Sequence, residues 1–488
     1  MEHLTDRLQA AAVLLDRLAW GGGTIGLLAL CGLVFSVATG FFQVRGARRW
    51  LAATLGSLFQ KKQRGQGPSA FQSACTALAA TLGTGNIAGV ATALVAGGPG
   101  ALFWMWVSAL LGTMTAFAEN VLAGLYRGRN SRGEAVGGAM YYIEQGLHCR
   151  PLALVFSFFC LLGSLGMGNM AQANSIAAGL EDSFGLAPAA TGIAAAALVA
   201  VTIAGGMGRV GRVTEKLVPF MALAYTCGAA AILAANFSRL PAVLALVLRE
   251  AFSLKAGLGG AAGYGVAAAL SVGVARGVSS NEAGLGSSVM ANSAAGGEPV
   301  EQGMWGIFEV AVDTLFMCVL TGLAILCSGA YDINLYAAAR AQGTVEALPN
   351  GAALTANAFR AVFGEEGGVF VAVSLALFAF STLLGWSCYG AQAAAYLWGE
   401  RAAGLYKGVF VAFVLLGCVA KLELVWQLSD AFNGFMALPN LAALLWLSPR
   451  VIREFRRRQA PLPVKKHADI RYITGKKHLK TGKEHDIL

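Results

Sequence analysis

Long apolar runs alternate with short polar segments along most of the chain. A helix needs about twenty apolar residues to cross a bilayer, and this length predicts eleven spans. A short basic segment, residues 48–64, is predicted to lie along the membrane interface. The predicted spans are residues 24–42, 71–96, 100–125, 152–180, 187–206, 216–236, 260–293, 303–328, 366–398, 404–421 and 427–449. The pattern therefore predicts an all-α polytopic membrane protein.

Composition supports the membrane class, because 56% of the 488 residues are hydrophobic and only 13% are charged. A soluble domain is usually about one quarter charged. Residues 1–20 carry acids as well as bases, so no cleaved signal peptide is predicted. The nine cysteines lie mostly in apolar runs without a CxxC pair, which predicts buried apolar residues rather than a disulfide framework.

The basic residues predict the orientation. With the N-terminus outside, 27 Lys and Arg residues fall on the cytoplasmic side and 8 on the other, as the positive-inside rule requires. Twelve of them follow Pro449, and a basic tail beside a membrane is expected from that rule rather than from nucleic-acid binding. An odd number of spans places both the basic segment after the first span and the basic tail on the cytoplasmic side.

Ten of the eleven spans divide into two sets of five. Because five is an odd number, the second set begins on the opposite side of the membrane and therefore runs with inverted topology. Inverted repeats are a common transporter plan, although no residue-level repeat is visible. The predicted parts are an extracytoplasmic N-terminus 1–23, a first transmembrane helix and interfacial segment 24–70, a first five-helix repeat 71–236, an extracytoplasmic loop 237–259, a second five-helix repeat 260–449 and a basic cytoplasmic tail 450–488.

The first span of each set contains a cluster of helix-weakening residues. One is residues 81–86, and the other is residues 271–277 followed by 279–286. Helices of this composition break in mid-membrane only where their freed peptide groups find partners, such as a zwitterion and a cation. The alternative is that the small residues only let helices pack closely.

The chain resembles the alanine or glycine:cation symporter family over about residues 20 to 450. It departs from the family at Ala139 and after Ser287. The motifs that carry the resemblance are Phe71-Gln72, Thr76 to Ala91, Gly97 to Gly100, Phe103 to Trp106, Gly137 to Glu144, Gly168 to Ser175, Val213 to Pro219, Gly273 to Ser287, Phe380 to Ser387 and Asn433 to Asn440.

The resemblance implies a leucine-transporter-type fold of five-plus-five inverted repeats with one extra N-terminal helix. It implies that the substrate lies against the two breaks, and that helix-dipole ends and bare carbonyls hold it. The implied substrate-binding residues are Thr81, Gly83, Thr84, Gly85, Asn86, Gln172, Gly273, Gly277 and Trp386. The implied Na⁺ ligands are the carbonyls of Ala79 and Leu82 with the hydroxyls of Ser381 and Thr382.

Two of these roles have simpler alternatives. Ser381 and Thr382 can instead bond back to the preceding helical turn, and Trp386 can be a packing aromatic. Five ionisable residues inside the spans are candidates for function by default: Glu119, Arg276, Glu282, Glu309 and Asp313. Arg276 is predicted to pair with Glu282 or Asp313, either as a gate or as a structural pair.

The expected function is sodium-coupled symport of a small neutral amino acid, alanine or glycine, into the cell across the plasma membrane of a bacterium. The expected partners are the amino acid, Na⁺ and the lipid bilayer, with no nucleic acid and no cofactor. Proton coupling and a broader range that includes glutamine stay open, as does the oligomeric state. None of the five histidines lies in a span and no GxSxG occurs, which argues against a membrane-embedded enzyme. A channel is the other alternative class.

Overall fold

The structure is a computed structural model that describes residues 11–459, except for residues 13, 57–68, 132, 134, 253–261, 421 and 422. Parts of several predicted segments lie outside the described residues. They are residues 1–10 of the N-terminus, the second half of the interfacial segment, the end of the 237–259 loop and the tail from residue 460.

The described chain is helical apart from two short antiparallel strands, β1 (Gly128–Arg129) and β2 (Ala135–Val136). The α-helices are α1 Gly22–Ala38, α2 Phe42–Arg45, α3 Ala47–Thr54, α4 Ala70–Thr81, α5 Val90–Gly97, α6 Gly100–Leu125, α7 Ala139–Leu147, α8 Arg150–Leu165, α9 Ala171–Phe184, α10 Pro188–Ala204, α11 Gly206–Ala235, α12 Leu240–Ala251, α13 Ala262–Asn281, α14 Val289–Asn292, α15 Pro299–Val310, α16 Val319–Ser328, α17 Ile333–Gln342, α18 Gly351–Phe363, α19 Glu365–Trp398, α20 Glu400–Val419 and α21 Glu423–Gln459. Short 3₁₀ turns occupy Phe237–Arg239, Ser293–Ala295 and Val345–Ala347.

Among the described residues, three stretches of π-helix interrupt the spans, at Gly85–Gly89, Gly166–Met170 and Ala311–Cys318. Stretches of π-helix inside α-helices are rare and occur mostly at functional sites. Two of these stretches, Gly85–Gly89 and Ala311–Cys318, contact each other. Irregular backbone is therefore concentrated where two spans meet in the interior.

Eight helices in the described part of the chain are long and apolar enough to cross a membrane. A ninth span results if the bent pair Ala70–Thr81 and Gly85–Gly97 is counted as one. The polytopic all-α class predicted from sequence is therefore confirmed, while the count of eleven stays a prediction. Helix α10 is apolar but has only 17 residues, so it is not counted among the eight.

Three boundaries differ from the sequence prediction. The first span begins earlier, since it extends from Leu14 to Ala38, with a turn at Trp20 and Gly21 before α1. The 237–259 segment contains the twelve-residue helix α12, which is too short for a span-length criterion to detect. Helix α21 continues beyond residue 449 to Gln459, where Arg458 pairs with Glu298 and Glu301 at N–O distances of 2.9 and 3.0 Å.

The broken first span of the predicted repeat lies inside the bundle. Helix α4 packs on α19, α9 packs on α19 as well, and α6 packs on α13 and α15. The π-helix at Gly85–Gly89 contacts α13, α18 and the π-helix at 311–318. The backbone that departs from regular helix is thus surrounded by protein, as a bilayer requires.

Candidate substrate and ion site

The first break occurs where the sequence predicts it. Helix α4 ends at Thr81, Leu82 takes the non-helical angles φ −73° and ψ 80°, and the axis turns by 48° before Gly85. The freed amide of Gly83 donates to the Asn86 side chain at 3.0 Å, and the amide of Thr84 donates to the Gln172 side chain at 3.4 Å. Side chains therefore replace the backbone partners that the break removes.

The four predicted sodium ligands come together at this break. The Ser381 hydroxyl lies 3.1 Å from the Ala79 carbonyl and 3.4 Å from the Leu82 carbonyl. The Thr382 hydroxyl lies 3.2 Å from the same Ala79 carbonyl. All four residues are buried. Oxygen atoms from two distant parts of the chain therefore lie close together at the first break.

Both hydroxyls also bond to the Phe378 carbonyl in their own helix, at 2.8 Å for Ser381 and 3.2 Å for Thr382. The back-bonding alternative is therefore present in the structure together with the contacts across to α4. Gly83 allows the first break to approach α19 this closely, because a Cβ atom at this position would overlap the Thr382 hydroxyl. Only glycine fits this approach.

The second break lies in the second part of the predicted cluster, residues 279–286, and not in its first part, residues 271–277. Helix α13 continues through Gly273 and Gly277 and ends at Asn281, so the two glycines do not flank the break as the resemblance implied. Both face α6, since an added Cβ would overlap the Ala101 carbonyl or lie 2.8 Å from the Ser108 hydroxyl. Close helix packing keeps this glycine-containing stretch helical.

The second break itself spans residues 282–288. Glu282, Gly284 and Gly286 all have positive φ, at 57°, 95° and 73°. The Glu119 side chain holds the turn, because its Oε1 accepts from the amides of Gly284 and Gly286 at 3.1 and 3.0 Å. Asn440 donates to the same Oε1 at 2.5 Å and to the Gly284 carbonyl at 2.9 Å.

A cavity of about 610 Å³ reaches the first break and the last turns of α13, just before the second break. Thr84 and Gly85 of the first break and Ser280 near the end of α13 line its inner end, and a Cβ on Gly85 would lie 3.3 Å from the Ser280 hydroxyl. Asp16 near the N-terminus and Ala352 of α18 line its wall as well. A ligand in this cavity can touch the first break and the end of α13.

Of the nine predicted substrate-binding residues, two line the cavity, Thr84 and Gly85. The other seven do not line it: Thr81, Gly83, Asn86, Gln172, Gly273, Gly277 and Trp386. Gln172 is 2% exposed and bonds instead to the Thr84 amide and to the Met167 carbonyl. Trp386 is 3% exposed, with its ring against Gly168 and 5.5 Å from the Tyr389 ring. Trp386 therefore has the packing arrangement that the sequence left as an alternative.

Arg276 pairs with Asp430 of α21 at 3.1 Å, rather than with Glu282 or Asp313 as predicted. Both partners line the cavity. Sequence reasoning missed Asp430 because it lies more than 150 residues from Arg276 and near the start of the last predicted span. The rule that an intramembrane charge needs a partner identifies Arg276, but only the folded chain identifies its partner.

Replacing Arg276 with alanine is expected to slow transport while leaving the protein folded. A partly exposed ion pair contributes about 1 kcal/mol, so the initial uptake rate should change roughly fivefold if the pair acts as a gate. Arg249→Ala is the matched control, because Arg249 pairs with its neighbour Glu250 and is 66% exposed. Uptake by the Arg276 variant at the normal rate and coupling would refute the gate.

A bundle of membrane-length helices, with two interrupted helices meeting at an interior cavity, defines an integral-membrane transporter. A sequence model of the sodium:alanine symporter family matches residues 5–469. The chain therefore belongs to the sodium:alanine symporter family, which confirms the resemblance seen in its motifs. It is an amino-acid symporter of the inner membrane and not an enzyme.

Three relatives illustrate the range of the family. An uncharacterised transporter of Haemophilus influenzae is 41% identical over 90% of this chain and 94% of its own length. The sodium/alanine symporter AgcS of Methanococcus maripaludis is 40% identical over 89% of this chain and 94% of its own. The probable sodium/glutamine symporter GlnT of Bacillus subtilis is 34% identical over 88% of this chain and 86% of its own.

Proposed function

We propose that this chain carries a small neutral amino acid, alanine or glycine, into the cell together with Na⁺ by alternating access. The observation that carries the proposal is the convergence of the Ser381 and Thr382 hydroxyls on the carbonyls freed at the first break. An ion held there would tie the position of α19 to that of α4. Binding of the ion and closure of the bundle would then be linked.

The inner end of the cavity supports a small substrate. A side chain on Gly85 would already press on the Ser280 hydroxyl of α13, since an added Cβ would lie 3.3 Å from it, so little space separates the first break from the end of α13. Alanine or glycine can bridge backbone groups there, whereas a long side chain would have to extend into the wider part of the cavity. The name of the AgcS relative agrees with this choice, and that of GlnT keeps glutamine as the second candidate.

The five-plus-five inverted repeat would explain why the breaks are paired. Helices α4 and α5 form the first span of the predicted repeat 71–236, and α13 with α14 begins the predicted repeat 260–449. With the extra N-terminal helix, this arrangement brings the number of spans to eleven. The Na⁺ gradient would supply the energy, since one charge moving inward gains about 2.3 kcal/mol per 100 mV.

Uptake into proteoliposomes containing the purified chain tests the proposal. Labelled alanine and glycine should accumulate with Na⁺ outside and K⁺ inside, and should not accumulate when K⁺ replaces Na⁺. Equilibration without accumulation would indicate a channel, and accumulation driven by a pH gradient alone would indicate proton coupling. Stronger uptake of labelled glutamine than of alanine would overturn the substrate assignment.

A further inference from the structure

One wall of the cavity has more negative than positive charge. Among the described residues that line the cavity, the charged side chains are those of Asp16, Asp182, Arg276 and Asp430. Asp182 has its own partner, since its carboxylate lies 3.6 Å from the Arg360 guanidinium. The other three, which we call the wall triad, have two negative charges and one positive charge. A cationic group on a ligand would balance them.

The two acids of the wall triad come from helices that are in contact. Asp16 lies in the first span, about one helical turn before Trp20, and Asp430 lies on α21. The Trp20 indole donates to the Asp430 carbonyl at 2.9 Å, and α1 packs on α21. Asp16 is near enough to Asp430 and Arg276 to interact electrostatically with both. The N-terminal helix therefore contributes a carboxylate to the cavity wall.

Asp430 has one carboxylate oxygen without a partner. Its Oδ2 pairs with Arg276 at 3.1 Å. In the part of the chain that the structure describes, its Oδ1 is buried and has no hydrogen-bond partner. Asp430 lines the cavity although it is only 8% exposed. A buried acceptor without a donor is unfavourable, so a ligand that donates to this carboxylate would be bound.

Arg276 can bind the opposite end of such a ligand. Its guanidinium has five N–H donors, and its side chain is 31% exposed beside the cavity. It can therefore hold Asp430 and a ligand carboxylate at the same time. Trp426 also lines the cavity and lies four residues before Asp430, on the same face of α21. The wall thus offers an acceptor for an ammonium group, a donor for a carboxylate and an aromatic ring.

We propose that the wall triad is a second amino-acid site, at which Asp16 and Asp430 bind the ammonium group and Arg276 binds the carboxylate. The proposal rests on the proposed function, because it takes the transported amino acid as the ligand. Side chains meet both ligand charges, so binding at the wall needs no Na⁺. A cavity of about 610 Å³ is in the range that holds drug-sized ligands. It has room for one amino acid at the wall and another at the first break.

Counting bound alanine with and without Na⁺ tests the proposal. The purified chain in detergent, dialysed to equilibrium against labelled alanine, should bind two alanines in Na⁺ and one in K⁺. The Asp16→Asn/Asp430→Asn variant should bind one in Na⁺ and none in K⁺. Asp182→Asn is the matched control, because it removes a cavity acid that pairs with Arg360, and it should keep both alanines. Absence of bound alanine from the unaltered protein in K⁺ would overturn the second site.

Two analogues identify the group that the acids bind. Alanine methyl ester keeps the ammonium group without the carboxylate, whereas lactate keeps the carboxylate without the ammonium group. In K⁺, the ester should displace labelled alanine from the unaltered protein and lactate should not. Displacement by lactate alone would overturn the assignment of Asp16 and Asp430 to the ammonium group.

A single substitution covers the case in which the double variant does not fold. Asp16 is half-buried and asparagine has nearly its shape, so Asp16→Asn keeps the packing of the wall. It should raise the alanine concentration for half-saturation in K⁺ about fivefold, as loss of a partly exposed ionic contact does. If the variants lose bound ²²Na⁺ and keep the alanine bound in K⁺, the wall binds Na⁺ and the proposal is wrong.

The two proposals fail in different ways. If one alanine binds in K⁺ but Na⁺ does not drive uptake of alanine or glycine, the proposed function is wrong and the wall site stands. If sodium-driven uptake is normal and the chain binds alanine only in Na⁺, the proposed function stands and the wall site is wrong.

Discussion

Sodium should no longer stimulate uptake when Ser381 is replaced by alanine and Thr382 by valine in the same chain. Each hydroxyl lies within 3.4 Å of a carbonyl at the first break, and both belong to the proposed sodium site. A hydrogen bond or similar contact to a charged group contributes about 1.5–3 kcal/mol. Each single substitution should therefore raise the Na⁺ concentration for half-maximal uptake roughly tenfold to hundredfold.

The measurement is alanine uptake as a function of Na⁺ concentration, together with ²²Na⁺ binding to the purified variants. Ser387→Ala is the matched control. Ser387 is a buried serine of the same helix, and its hydroxyl bonds to the Leu384 carbonyl in the preceding turn at 2.7 Å. If the control and the double variant have the same sodium dependence, Ser381 and Thr382 serve only to bond back to their own helix.

Replacing Glu119 with alanine should strongly destabilise the protein and abolish uptake. Glu119 is fully buried, and its Oε1 accepts hydrogen bonds from the amides of Gly284 and Gly286 and from the side chain of Asn440. Removing the acceptor leaves three buried donors without it, at about 1–3 kcal/mol each. The second break would then lose the group that holds its two positive-φ glycines in place.

Glu119→Gln separates the acceptor from the charge, since its amide keeps one oxygen for the same donors. We expect it to retain much more stability than Glu119→Ala. The midpoint of thermal unfolding in detergent, followed with a thiol-reactive dye, measures the difference because most of the cysteines are buried. Equal unfolding temperatures for the unaltered protein and Glu119→Ala would contradict this role.

The first break was predictable because its cause is local. The run from Thr81 to Asn86 weakens the helix through its own composition, and the structure ends α4 at Thr81. The convergence of Ala79, Leu82, Ser381 and Thr382 followed from the family resemblance, because no local pattern relates residues 300 positions apart.

The second cluster predicted from Gly, Ser and Asn content, residues 271–277 followed by 279–286, contains the break only in its second part. Gly273 and Gly277 match small spaces on α6, so packing keeps that stretch helical. The break appears at residues 282–288, where Glu119 and Asn440 replace the lost backbone partners. Those partners come from α6 and α21, and a pattern in one segment contains no information about them.

Asp313 is another residue that the sequence identified without identifying its contacts. Its position inside an apolar span marked it as a candidate, and either Asp313 or Glu282 was expected to pair with Arg276. In the folded chain, Arg276 pairs with Asp430 and Asp313 contacts Asn86 and Ser280. Two side chains of opposite charge in neighbouring spans do not have to meet, because the rotation of each helix decides which way they face.

The sequence by itself determined the membrane class, the helical architecture, the family and the first break, because hydrophobic length and local helix propensity act within single segments. The tertiary structure alone decided where the second span breaks, which acid pairs with Arg276 and which neutral groups surround Asp313. Each of these depends on how helices distant in sequence are rotated and packed against one another, and that arrangement minimises unpaired polar groups over the whole bundle rather than in any one helix.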